Sequence, residues 1–244
     1  MAGLVELRNV SFTAQNRRLV KELSLEFEEG KITALVGPSG GGKSTVLKLS
    51  AGLLVPESGV VLYKGANVSL MDRAKNLEFR REAAVVFQDS ALWANQTLFQ
   101  ILEIPLRVHF PKMTKKEREE QVEGIVAEVG YKKDLGIRPA QLSMGEQKLL
   151  AFARAMICRP KLLYLDEWVE SLDELAARRL IDMVKKHRSD GKTVILVCHD
   201  MRIIHELADV VVMILGGQIF LKLTKGQIIQ DDDLRRYVER GMTA

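Results

Sequence analysis

The chain has 244 residues, enough for one substantial hydrophobic core with room for an inserted subdomain. Charged residues make up 28% and hydrophobic residues 47%, a folded composition rather than a disordered one. The 36 basic against 32 acidic residues are too small an excess to single out nucleic acid as a partner. No run approaches the roughly 18 apolar residues that span a bilayer, since Val210–Leu215 stops at Gly216.

The N-terminus carries no basic segment leading into a secretory hydrophobic run. Cys158 and Cys198 lack metal-ligand spacing and are expected as buried small hydrophobes in a reducing compartment. A cytoplasmic location follows, compatible with attachment to a membrane partner.

In chain order, Leu4 to Phe12 and Leu23 to Phe27 alternate as strands do, with Glu28-Glu29-Gly30 as the following turn. Ile32 to Val36 is a short apolar run of the buried-strand kind, and a helix is expected over Ser44 to Ala51. Val60 to Tyr63 and Ala84 to Phe87 are further strands. Thr97 to Leu106, Thr114 to Val129 and Met144 to Cys158 read as helices, separated by breaks at Pro105 to Pro111 and Gly130 to Pro139. Thr114 and Glu117 fit a capping box. Strand and helix then alternate: Leu162 to Leu165, Glu174 to His187, Thr193 to Cys198, Met201 to Leu207 and Val210 to Leu215. Residues 218–244 form a charged tail after Gly216-Gly217, with a strand turn and a short terminal helix around Leu234 to Arg240 expected in it. The pattern is an α/β core with helices inserted in its middle.

Residues 37–45 read Gly37-Pro38-Ser39-Gly40-Gly41-Gly42-Lys43-Ser44-Thr45, between an apolar strand and a helix. Glycines let the backbone N–H groups approach phosphate oxygens, and the helix N-terminus reinforces the attraction. Lys43 reaches the β- and γ-phosphates and Ser44 offers a hydroxyl to Mg²⁺. Leu162 to Leu165 deliver Asp166 and Glu167 to a strand end, where Asp166 serves the Mg²⁺ shell through water and Glu167 polarises an attacking water. His199 ends the next apolar run and precedes Asp200.

The ordered set Gly37 to Thr45, Gln88, Leu142-Ser143-Met144-Gly145-Glu146-Gln147, Asp166-Glu167, Ser171-Leu172-Asp173 and His199-Asp200 resembles the nucleotide-binding subunits of ATP-binding-cassette (ABC) transporters over residues 1–220. The resemblance implies a P-loop NTPase core with an N-terminal antiparallel β subdomain (1–90 with 159–220), an inserted α-helical subdomain carrying the signature segment (91–158), and a C-terminal tail (221–244). It implies an ATP-sandwich homodimer in which Ser143 and Gly145 contact the γ-phosphate held by the opposite subunit. Gln88 would sense Mg²⁺ and the attacking water, His199 would meet the γ-phosphate, and Ser171 to Asp173 would join the two sites. ATP and Mg²⁺ are the expected ligands.

Several residues depart from the family pattern. Met144 and Glu146 replace a glycine and a glutamine of the signature, Trp168 replaces the proline after the catalytic glutamate, and Ala14 stands where an adenine-stacking aromatic is expected, with Phe12 read as core. The stretch Phe87 to Trp93 with Ile104-Pro105-Leu106-Arg107 resembles the ATPases of Mla- or Mce-type phospholipid-trafficking systems. That implies integral membrane permease partners, lipid-binding envelope proteins and a place on the cytoplasmic face of the bacterial inner membrane. Trp93, Leu98, Phe99, Leu102 and Phe110 are the apolar candidates for a permease groove. Other export, lipoprotein release, solute import, or regulation of an envelope or division complex are the alternatives. No long coiled-coil insertion of a DNA-repair cassette fits between Gln88 and Leu142.

Overall fold

A computed structural model describes residues 3–230. The chain begins with strands β1 (Val5–Ala14), β2 (Arg17–Phe27) and β3 (Ile32–Val36), then helix α1 (Lys43–Ser50) and strands β4 (Ser58–Tyr63) and β5 (Ala66–Asn67). Helix α2 (Arg73–Glu82) leads into strand β6 (Ala83–Val86), and helices α3 (Leu98–His109), α4 (Lys115–Val129) and α5 (Met144–Met156) follow. Alternation then resumes through β7 (Leu162–Asp166), α6 (Glu174–Ser189), β8 (Thr193–Val197), α7 (Met201–Leu207), β9 (Val210–Leu215), β10 (Gln218–Thr224) and α8 (Lys225–Gln230). The helix expected around Leu234 to Arg240 lies outside the described residues.

The chain forms two compact units, one from the residues up to Asn76 together with those from Lys185 on, the other from Leu77–Val184. In the first, β1 pairs antiparallel with β2 and β4, and β4 with β5. Here β3 lies parallel between β8 and β9, and β10 adds an antiparallel edge to β9. Every residue of β3 and β8 is buried, as expected of parallel strands covered on both faces. Asp209 fastens the start of this sheet, accepting the Ile32 N–H at 2.9 Å while Arg188 donates to the same carboxylate at 2.7 and 3.1 Å. Helix α1 packs against β8 and against β1 and β2.

In the second unit β6 runs parallel to β7, and α3, α4 and α5 pack on one another. Reciprocal capping boxes open all three helices, Thr97 with Gln100, Thr114 with Glu117 and Ser143 with Glu146. The break expected from Pro105 onward starts later, because α3 continues through Pro105 to His109. A proline there forfeits one helical hydrogen bond, yet Leu98, Ile101, Leu102 and Leu106 form a buried stripe that spans it. Arg118 of α4 also holds Glu103 of α3 at 2.7 Å. Leu98 and Leu102 are therefore core, whereas Trp93 is 47% exposed.

Helix α2 has no apolar periodicity to announce it, and within it only Phe79 and Glu82 are buried. Phe12 is half-buried rather than core, sitting near the end of β1 where the ladder turns irregular. Cys198 is buried and Cys158 half-buried, and neither is in a disulfide among the described residues. Burial pushes the Cys158 thiol up to about 11.

Candidate active site

In the first unit the buried run of β3 ends at Val36 and the chain turns at Gly37, whose φ is 134°. A Cβ on Gly37 would stand 2.2 Å from the Ile214 carbonyl oxygen, and one on Gly42 (φ 103°) 2.7 Å from the Leu19 carbonyl oxygen. The loop thus lies flush against β9 and β2 backbone, which only glycine permits at these two points. Gly42 is also the N-cap of α1 and puts no side chain over the first-turn amides. These amides and the helix dipole are suited to an anion.

Gly37, Gly41 and Gly42 are buried, Pro38 and Lys43 to Thr45 half-buried, and Ser39 and Gly40 exposed. The Lys43 ammonium donates to the carbonyls of Gly37 and Pro38 at 2.8 and 2.9 Å, bringing its charge over the loop. Gly40 to Thr45 and Leu19 line a cavity of about 180 Å³. A backbone rim, one ammonium and two hydroxyls fit a polyphosphate chain. Leu19 was not foreseen from the sequence, because the strand alternation around it says nothing of a neighbouring loop.

Strands β3 and β8 are parallel neighbours with Leu35 opposite Val197. Gly37 and His199 therefore each lie two residues beyond the same rung of the sheet, where α/β folds place their ligands. His199 is exposed. Asp200 instead caps α7, accepting the Arg202 N–H at 2.8 Å, and the Arg202 guanidinium holds its carboxyl below the usual range.

In the second unit the same construction recurs. Val86 of β6 pairs with Leu165 of β7, so Gln88 and Glu167 each lie two residues past that rung. Asp166 is buried at the end of β7, and Glu167 is half-buried with φ 46°. The Gln88 side chain is exposed and donates to Glu170 over a long 3.5 Å. Lys148, on α5, is buried and donates to the backbone carbonyls of Gln88 at 2.5 Å and Glu167 at 2.9 Å. Burial pulls its pKa down, opposed by Glu170, Glu167, Asp166 and Asp89. Sequence reasoning missed Lys148, although a lysine opening the apolar run Leu149 to Phe152 is the kind of signal that marks a buried cation.

The signature residue Ser143 is exposed at the N-cap of α5, and Gly145 fits because a Cβ there would stand 2.9 Å from the Ser171 carbonyl oxygen. Met144 is 68% exposed, so its side chain points to solvent. Glu146 is engaged with Lys133 at 2.6 Å. Trp168 is fully buried, and its indole N–H has no partner among the described residues. Ala14 is half-buried at the end of β1 and offers no ring.

Among the described residues no group of three His, Cys, Asp or Glu forms a metal cage. Mg²⁺ accompanying a nucleotide needs none, since it retains waters and takes one or two protein ligands with the phosphates. A hydroxyl on the first unit (Ser44), and a carboxylate (Asp166) and an amide (Gln88) on the second, are donor types of that kind.

Residues 20–170 match the ABC transporter family. The chain is 30% identical over 234 residues to the intermembrane phospholipid transport system ATP-binding protein MlaF of Haemophilus influenzae, covering 96% of this chain and 88% of that protein. It is 27% identical over 244 residues to the L-cystine import ATP-binding protein TcyC of Bacillus subtilis, covering 97% and 98%. The structure of the ATP-binding cassette MJ0796, a dimer in a post-hydrolysis state with ADP and Pi, superposes with a TM-score of 0.84 at 26% identity, covering 91% of this chain and 98% of that one. Strand-end loops, inserted helices and sequence agree, and the chain belongs to the ABC transporter family as an ATP-binding subunit with the P-loop fold.

Proposed function

We propose that this chain hydrolyses ATP as a homodimer and so drives a separate integral membrane permease in phospholipid trafficking across the bacterial cell envelope. The observation that carries the cargo is similarity to a phospholipid-transport ATPase over nearly the whole chain. The likeness to a cassette captured as a dimer with ADP and Pi supports the dimeric cycle. Docking on a permease at the cytoplasmic face of the inner membrane accords with the absence, among the described residues, of any helix able to cross a bilayer.

In this reading Gly37 to Thr45 bind the phosphates through backbone amides and the N-terminus of α1. Lys43 exchanges its two loop carbonyls for phosphate oxygens, at little cost because its charge is already in place. Ser44, Asp166 and Gln88 would hold Mg²⁺, which would supply charge neutralisation. Glu167 takes the proton of the attacking water, and His199 orients the transferred group. Ser143 and Gly145 present the amides and N-terminus of α5 to the nucleotide of the partner copy.

The test is co-purification from detergent-solubilised membranes with mass analysis of bound proteins and lipids, followed by ATPase assay of the reconstituted complex. A permease, co-purified phospholipid and phospholipid-stimulated turnover are expected. Stimulation by a small solute with its binding protein favours the import reading that the cystine-import relative represents. Recruitment of an envelope protein without flux favours a regulator.

A further inference from the structure

We propose that Lys148 is a positioning residue for ATP hydrolysis, its ammonium fixing the backbone at Gln88 and Glu167 together and tying both to the signature end of α5. The assignment rests on the hydrolytic reading above for its chemistry, and on geometry for its existence. Placing an ammonium in the interior is unfavourable unless it is paired and hydrogen-bonded. The surrounding positions Leu149, Leu150 and Phe152 are filled by hydrophobes that cost nothing of the kind. Lys148 is nevertheless buried, and its two acceptors are the carbonyls of the two residues given water-handling roles.

Those carbonyls lie past the last rung of the β6–β7 ladder, where strand pairing no longer fixes the chain. Glu167 and Ser171 both adopt left-handed backbone conformations, with φ of 46° and 69°. Non-glycine residues keep such conformations only where the surroundings over-determine them. Helix α5 supplies that constraint twice. Lys148 grips the carbonyl of Glu167, and the first turn at Gly145 rests against the Ser171 backbone.

Ser143 and Lys148 are five residues apart on this helix, about 7.5 Å along its axis. A shift of α5 when Ser143 engages a nucleotide is thereby passed to Gln88 and Glu167 through one side chain. The carboxylates of Glu170, Glu167, Asp166 and Asp89 attract the same ammonium, so it also balances the acidic end of β7.

The test compares Lys148→Met, which keeps the length and removes the donors, with Lys148→Arg, which keeps donors and charge. Turnover at saturating ATP, KM for ATP, melting temperature and amide exchange are measured on the full chain. Two amides report directly: Ser90, which donates to Phe87, and Glu170, which donates to Glu167. For Lys148→Met, exchange is expected to accelerate in both segments while α5 stays protected. Turnover is expected to fall roughly 10- to 100-fold, the cost of a small misplacement, with KM little changed. Lys148→Arg is expected to recover most of the turnover and the slow exchange.

Parental exchange and turnover in Lys148→Met overturn the proposal. So does a parallel loss of melting temperature, KM and turnover in both variants, which marks a packing role. If the parent itself releases no phosphate beyond Glu167→Gln, the hydrolytic reading falls. Exchange at Ser90 and Glu170 then decides the clamp alone, unchanged rates overturning it and accelerated rates in both segments supporting it.

Discussion

Glu146 receives the backbone N–H of Ser143 on Oε2 at 2.9 Å and the Ser143 hydroxyl at 3.1 Å, while Lys133 stands 2.6 Å from its other oxygen. The signature serine therefore already has an anion at its disposal, placed by its own helix at the end where negative charge is favoured. The Lys133 ammonium, then the Ser143 N–H, hold the Glu146 carboxyl below the usual range. In the proposed homodimer, a nucleotide phosphate brought to Ser143 by a second copy would have to compete with this carboxylate. Glu146→Gln keeps the shape of the capping box and removes the charge. In a Glu167→Gln background, ATP-dependent dimerisation followed by ultracentrifugation is expected to tighten about two- to fivefold, the worth of one charge near a helix end. Weaker dimers would mean that Glu146 contributes a contact rather than an obstruction.

Glu167→Gln preserves the size of the side chain while removing the carboxylate proposed as the base. ATP binding is expected to persist and phosphate release to fall roughly 10²- to 10⁴-fold, the usual contribution of general base catalysis. Paired measurements of nucleotide retention and phosphate release check it. Undiminished release would move the base role to another residue.

Strands β3, β7, β8 and β9 were legible because each is a short apolar run: β3 and β9 match their expected limits, and β7 and β8 differ by one residue. Gly37, Glu167 and His199 were singled out as candidates because they follow such runs, with the glycine-rich motif and the family resemblance suggesting their roles. Helix α2 was not legible, since its sequence is charged nearly all round and only two of its side chains are buried. Pro105 misled for the opposite reason: a local breaker was overridden by the buried stripe on either side of it. Lys148 and Leu19 escaped notice because their roles come from elements distant in sequence, which no spacing rule encodes. The exposure of Met144 likewise depends on how α5 is laid against its neighbours.

Gly37 and Gly42 separate steric need from conformational need in the phosphate loop. Gly37→Ala places a methyl 2.2 Å from the Ile214 carbonyl oxygen at φ 134°, so backbone on one side must move. A loss of about 2–5 kcal/mol in denaturant-derived stability is expected, combining backbone strain with overpacking. Gly40→Ala meets nothing within 4 Å and has only its φ of 72° to contend with, so about 1–2 kcal/mol is expected. Both variants should weaken nucleotide binding, and only Gly37→Ala should lower stability severely. Equal costs at the two positions would show that β9 yields to the loop.

His187 is a buried histidine whose two ring nitrogens have no hydrogen-bond partner among the described residues. Burial first, then the nearby Lys192 ammonium, lower its pKa from 6.5 to about 4, with Asp190 opposing. In the folded chain the ring is neutral across the interval in which the unfolded chain takes up a proton. The unfolded state therefore binds more protons between about pH 6.5 and 4, and stability rises with pH there. The contribution is complete above the unfolded pKa and is lost as pH falls towards the folded one. A shift from 6.5 to about 4 corresponds to about 3 kcal/mol. Urea unfolding at pH 7.0, 5.5 and 4.5 should show a progressive loss that His187→Leu removes, since leucine fills the site and carries no proton. A variant that retains the full acid sensitivity of the parent would assign it to the carboxylates instead.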